Sequence, residues 1–211
     1  MGYQLLLNYY RLSFTGASFF FSESKELTNL FIEHNDWNMA VNTLINFHVN
    51  TRSKSTIKRE SSELVIRLKT LPEVLLNKLV ETDADNAKII LLYSILKSYP
   101  IIKMFCLDVL YEKSIMMDYD IQEYEINAFF RKQEELYPEF EKKSDATKYK
   151  LRQVIFKILA DANLINSTLN KSIVKPYIDT YIAKLILKDS DTSYLYSLLM
   201  NEHEINMLGA A

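Results

Sequence analysis

Two stretches of the chain concentrate side chains suited to binding anions. Residues 51 to 69, TRSKSTIKRESSELVIRLK, carry Arg52, Lys54, Lys58, Arg59, Arg67 and Lys69 against Glu60 and Glu63. Residues 142 to 157, KKSDATKYKLRQVIFK, carry Lys142, Lys143, Lys148, Lys150, Arg152 and Lys157 against Asp145. Together they hold twelve of the 25 basic residues, so the compensating acids lie elsewhere, densely between Glu112 and Glu141. Lysine, arginine, serine and threonine crowded at a helix start suit phosphate oxygens, because side-chain donors, backbone N–H groups and the helix dipole converge there. The same residues also suit two solvated helix faces, and the sequence leaves both readings open.

Other chemistries find less support. His34, His48 and His203 have neither the HExxH spacing nor a nearby cysteine pair, so a zinc site is not expected. Asp118, Asp120, Glu123 and Glu125 suggest an acid/base pair or a cation site, but Asp120 and Glu123 read better as helix N-terminal residues. Phe19, Phe20, Phe21, Tyr9 and Tyr10 can stack on bases, yet so apolar a neighbourhood reads as core. No glycine occurs between Gly16 and Gly209. Phosphate loops and dinucleotide fingerprints need glycine for close backbone approach and positive φ, so the common nucleotide-binding loops are excluded and no cofactor is expected.

These side chains must be positioned by helices. SESKELTNLFIEH spaces Leu27, Leu30 and Phe31 helically, with Ser22 or Ser24 available as cap, and Asp36 caps WNMAVNTLINF. Ile57, Ser61, Leu64, Leu68 and Leu71 make a stripe on a third helix that ends before Pro72, where a fourth opens. Residues 84 to 98 are apolar nearly all round, as in a central buried helix, and Pro100 restarts a helix that runs to Met116. Asp120 with Glu123 is expected to cap the helix that ends at Pro138. Ser144 caps the next, whose inner face is Leu151, Val154, Ile155, Ile158 and Leu159. The segment LINSTLNKSIVKPYI, at residues 164 to 175 and beyond, breaks this pattern and suits a small β-hairpin wing. Helical spacing returns over residues 177 to 187 and 194 to 200. The expected fold is all-α, a mainly helical bundle with an N-terminal lobe over residues 1 to 82 and a C-terminal lobe over residues 83 to 211.

Global properties set limits. The net charge is −2, so any polyanion signal rests on charge distribution and not on charge total. Cys106 is the single cysteine, which rules out a disulfide within the chain and suits a reducing compartment. The start has no basic region before its short apolar stretch and does not read as a secretory signal. The most apolar run, AKIILLYSILKSYPIIKMFCL, is interrupted by Lys97, Pro100 and Lys103 and reads as two core helices. The expectation is a cytoplasmic protein without a membrane partner.

Four segments resemble one family in order: SESKELTNLF followed by NDWNMAV; RSKSTIKRE running into RLKTL; LDVLYEKSIMMDYDIQEYEINAFF; and TKYKLRQVIFKILADANLI. The chain resembles BrxA, the small component of bacterial bacteriophage-exclusion (BREX) systems, over roughly residues 12 to 166. The family's usual Gly-Gly-Leu-Leu type run near the start is replaced here by Gly16, Ala17, Ser18, Phe19 and Phe20. The resemblance implies a mostly helical protein, related in part to helical RNA-antitermination factors. It further implies binding to double-stranded DNA and action beside other phage-defence subunits: a methyltransferase, an ATPase and a phosphatase-like protein. It implies no catalytic residue. On this reading Lys148, Lys150 and Arg152 form the principal DNA face, with Lys171 and Lys175 on the wing beside it and Arg52, Lys54, Lys58 and Arg59 as a second contact. The alternative is an assembly adaptor whose acidic stretch meets those subunits.

Overall fold

The computed structural model describes residues 10–16 and 18–209. Tyr9, Ala17 and the opening residues 1 to 8 lie outside this range. A one-turn helix, Ser13–Gly16, precedes α1 (Phe21–His34), α2 (Trp37–His48), α3 (Lys54–Leu68), α4 (Glu73–Glu81) and α5 (Ala84–Ser98). Next come α6 (Pro100–Phe105), a π-helical turn (Cys106–Tyr111) and α7 (Glu112–Ile115). The chain ends with α8 (Glu123–Leu136), α9 (Pro138–Glu141), α10 (Asp145–Asp161), α11 (Thr180–Asp189), α12 (Ser193–Ser197) and α13 (Glu202–Gly209). The described residues form an all-α structure without a strand.

The caps follow local chemistry. The Asp36 Oδ1 accepts from the Asn38 and Met39 amides at 2.6 and 2.9 Å, and Ser53 and Ser144 cap α3 and α10 by accepting from Thr56 and Thr147. Pro72 is the N-cap of α4, while Pro100 and Pro138 open α6 and α9 in the first turn, where a missing N–H costs nothing. Two expectations are corrected. Helix α1 begins at Phe21 behind a left-handed Phe20 with no side-chain cap, so neither Ser22 nor Ser24 caps it, and Ser24 is buried. Helix α8 is capped two residues later than expected: the Glu125 carboxylate accepts from the Gln122 amide at 2.7 Å, a capping box, while Asp120 accepts from the Ser172 hydroxyl at 2.6 Å.

Helix α5 is the centre of the core. Residues Ile89 to Leu96 are all buried, and the helix packs against α1, α3, α4 and α6. Its start is held by Asp83, whose Oδ1 accepts from the Asp85 and Asn86 amides at 3.0 Å, with the Asn86 side chain on Oδ2 at 2.9 Å. Hydrogen bonds from the side chain and backbone of Asn86 pull the Asp83 carboxyl down to about 2 from its ordinary 3.8. A pKa depressed on folding stabilises above the unfolded value and is lost as pH falls through the folded one. The stability difference between the native chain and Asp83→Ala should therefore be constant above about pH 5 and shrink below it, its pH-dependent part lost only below pH 2, as acid titration of urea midpoints will show.

The chain bends by 112° between Ala84–Ser98 and Pro100–Ile115, and no single helix of the described residues is long and apolar enough to cross a membrane. The helix begun at Pro100 runs on to Ile115, but through the π turn, which buries Cys106, Val109 and Leu110. Phe105, just before this turn, meets Phe129 and Phe156 edge-on at 5.0 and 5.4 Å and joins α6 to α8 and α10.

Lacking glycine between Gly16 and Gly209, the chain places other residues at positive φ: Phe20, Asn35, Met117, Asn163, Lys171 and Leu199. Asn35 caps α1, donating its N–H to the Phe31 carbonyl at 2.7 Å, and asparagine tolerates this conformation well. Met117, at φ 57°, has no such excuse and is 80% exposed, so it gains little packing in return. Met117→Gly should raise stability by about 0.5–1 kcal/mol, the relief of left-handed strain exceeding the added chain entropy, measurable as a higher urea midpoint.

The expected wing is corrected. Residues 164 to 175 form no strand pair; single bridges join Ile165 to Ile173 and Asp120 to Ser172. Leu164, Ile165 and Ile173 are buried, and the Asn166 side chain accepts from the Ser172 amide at 3.0 Å. The loop is stitched down over the start of α8, with Leu169 exposed at its tip, because its apolar pairs contribute to the core.

Candidate nucleic-acid interface

The helices that carry the two basic segments, far apart in sequence, share one neighbour. Helices α3 and α10 both pack against the one-turn helix Ser13–Gly16. That helix is tied to α3 by the Ser13 hydroxyl, which donates to Glu63 at 2.9 Å. The buried stripe of Ile57, Ser61, Leu64 and Leu68 turns the other side of α3 outward.

Lys54, Lys58 and Arg59 occupy that outer side, all exposed. Lys54 and Lys58 are one turn apart, about 6 Å along the axis. None of the three has an acidic partner within ion-pair distance among the described residues, and the first turn of α3 contains no acid. Ser53, Ser55 and Thr56 cluster their hydroxyls at the same end, the Ser53 oxygen lying 3.1 and 2.8 Å from those of Ser55 and Thr56. Arg52 is different: its guanidinium bridges Glu60 at 3.0 Å and Glu23 at 3.1 Å, locking the α2–α3 loop onto α1.

On α10 the cations are mostly compensated. Lys148 is 3.2 Å from Glu134, with only 19% of its side chain exposed, and packs near the Phe140 ring. Arg152 pairs with Glu123, donates to Asn127 at 2.8 Å and lies over the Phe130 ring at 5.7 Å. Lys150 is exposed without an acidic partner among the described residues. The first turn of α10 also carries Asp145, opposing an anion there.

The loop cations divide likewise. Lys175 meets both carboxylate oxygens of Glu204 at 2.7 Å, which joins the loop to α13. Lys171, left-handed at φ 51°, has its ammonium over the Phe156 ring at 5.5 Å and no acidic partner among the described residues. The acidic cluster resolves into local partners too. Lys113 is buried and lies 2.5 Å from Asp118 and 2.7 Å from Glu125. Burial alone would lower its ammonium, but the bonds to Asp118 and Glu125 outweigh that and hold it above the usual lysine range. His48 pairs with Glu26 at 2.8 Å. Tyr10 stacks on Tyr137 at 4.0 Å and donates to Gln133, while Phe19 is buried in the core.

A family model for BrxA matches residues 8–190. The chain belongs to the BrxA family. That membership puts it among the proteins of BREX phage defence. The BREX protein BrxA of Bacillus cereus (strain H3081.97) is 29% identical over 150 residues, which is 71% of this chain and 74% of that protein. An uncharacterized protein from Magnetospirillum magneticum, known by crystal structure, superimposes with a TM-score of 0.77 at 17% identity, covering 90% of this chain and 97% of the other. At that identity the likeness concerns the BrxA fold alone. The acid partners of the basic residues were invisible to sequence reasoning because they come from other elements: Glu123 for Arg152, Glu204 for Lys175, Glu23 for Arg52.

Proposed function

We propose that this BrxA-family protein is a non-enzymatic, cytoplasmic accessory factor that holds double-stranded DNA by its phosphates. The observation that carries this reading is the outer side of α3. Lys54, Lys58 and Arg59 are exposed and unpaired among the described residues, beside hydroxyl-rich residues at a helix start without acids. Binding a phosphate there breaks no existing ion pair, whereas Lys148 and Arg152 must first leave Glu134 and Glu123. The pairing therefore favours α3 as the leading contact. Lys150 and Lys171, also without acidic partners among the described residues, are secondary contacts, and Arg52 and Lys175 serve to hold the scaffold.

Phosphate contacts position a protein without reading sequence, so affinity should fall steeply with salt, with a slope near −0.9 per contact, and depend weakly on base sequence. Fluorescence anisotropy with two unrelated duplexes between about 50 and 200 mM salt tests this. Salt-insensitive binding, or no binding at the low end, would overturn it.

A second reading, assembly with other BREX subunits, is supported by the acidic stretch from Glu112 to Glu141, which has the wrong sign for DNA.

A further inference from the structure

The π turn and α7 face α8 across an open groove of about 430 Å3. Val109, Met116, Ala128 and Phe129 supply its apolar lining, and Tyr124 stands on one edge. Residues one turn apart line each side, Asp108, Glu112 and Met116 on one and Tyr124, Ala128 and Lys132 on the other, so the walls run together for about 12 Å. Met116 and Tyr124 are 72% and 71% exposed. Large apolar side chains gathered at this level of exposure mark a binding surface more often than a solvent face.

The rim is held in place. Buried Lys113 joins Asp118 to Glu125, and the Asp118 amide donates back to the Lys113 carbonyl at 3.0 Å. This closes the turn that keeps Met117 left-handed and presents the two methionines outward. The charge around the groove is one-sided. Asp108, Glu112 and Glu125 line the groove and Asp118 is held beside it on Lys113, against Lys113 and Lys132, leaving a balance of −2, and Glu112 is exposed without an ion-pair partner among the described residues.

We propose that this groove docks an amphipathic helix of a partner protein, with lysine or arginine residues flanking its apolar stripe. The length allows about two to three turns. Methionine adapts to such a stripe, and the acidic rim selects for basic flanks and against acidic ones. The proposal gives the assembly reading a surface and a partner chemistry, and it does not depend on DNA binding.

The probe is a fluorescein-labelled 14-residue helix of leucine and lysine in amphipathic pattern, beside its leucine and glutamate counterpart, titrated against the full chain. The lysine peptide should bind at micromolar concentration and the glutamate peptide at least tenfold more weakly. Glu112→Lys and the double variant Met116→Ser, Tyr124→Ser should each weaken the lysine peptide about tenfold or more. These residues are exposed, and thermal melts check that the variants fold. Equal binding of the two peptides, no binding of either, or an unaffected Glu112→Lys variant would each overturn the proposal. So would a dimer in sedimentation that Met116→Ser dissolves, since the occupant would then be a second copy. The Lys54, Lys58, Arg59 triple alanine variant should bind the peptide like the native chain, which separates failure here from failure of the DNA reading.

Discussion

Replacing Arg67 with methionine is expected to cost about 3–5 kcal/mol of folding stability, the largest single effect in the molecule. Arg67 is wholly buried in α3, yet it is charged. Its Nε donates to the Tyr99 hydroxyl at 3.0 Å and its Nη1 to the Ser18 carbonyl at 2.6 Å. The Tyr99 hydroxyl in turn donates to Glu63, which also accepts from Ser13. One guanidinium therefore joins the chain before α1, α3 and the α5–α6 corner. Methionine matches much of its volume but removes the donors to the Tyr99 hydroxyl and the Ser18 carbonyl, and breaking a hydrogen-bond network centred on a wholly buried side chain carries the penalty. At about 2–4 °C per kcal/mol for a chain of this size, the melting temperature should fall by roughly 10 °C, read by circular dichroism. Arg67→Lys keeps the charge but not the planar fork and should recover only part of it. A loss below about 1 kcal/mol would mean that the network is not the support of this corner.

The second large effect is on DNA. Changing Lys54, Lys58 and Arg59 together to alanine should lower the salt slope by about 2.7, at about 0.9 per phosphate contact. At 0.1 M salt each contact is worth roughly 0.9 log unit relative to 1 M, so the three together amount to a loss on the order of 10²-fold or more, alike for unrelated duplexes. Their exposure and lack of acidic partners predict an unchanged melting temperature. The matched triple alanine variant of Lys148, Lys150 and Arg152 should lower the slope by about 1, since only Lys150 is unpaired. It should also destabilise slightly, because Arg152 and Lys148 hold α10 to α8 through Glu123 and Glu134. If the α10 variant loses more DNA affinity than the α3 variant, the ion pairs open on binding and the principal face is α10.

Much of the architecture was legible without coordinates. Asp36 and Ser144 cap by hydrogen bonds two or three residues away, and Pro72, Pro100 and Pro138 act on their own peptide units, so short-range chemistry suffices to place them. The stripe of Ile57, Ser61, Leu64 and Leu68 and the all-round apolarity of α5 likewise announce their burial through the helical period alone. The family was legible for a related reason: ordered local segments carry it.

Tertiary structure decided which charges are available to a ligand. Lys148, Lys150 and Arg152 look alike in sequence, yet one is unpaired and two are neutralised by acids brought from α8, because Coulomb attraction acts through space and ignores chain distance. The same holds for the cap of α8, where Asp120 is drawn off to Ser172 and Glu125 takes the expected part, and for the loop after α10, whose apolar pairs settle into the core instead of forming a wing. A chain without glycine between Gly16 and Gly209 had also to place its left-handed corners at residues such as Met117, and only the packing around Lys113 determines that this one is held. The residues alone set helix, cap and family because those depend on neighbours within a few positions. Folding set the free cations and the acidic groove because those depend on which distant helices come to lie side by side.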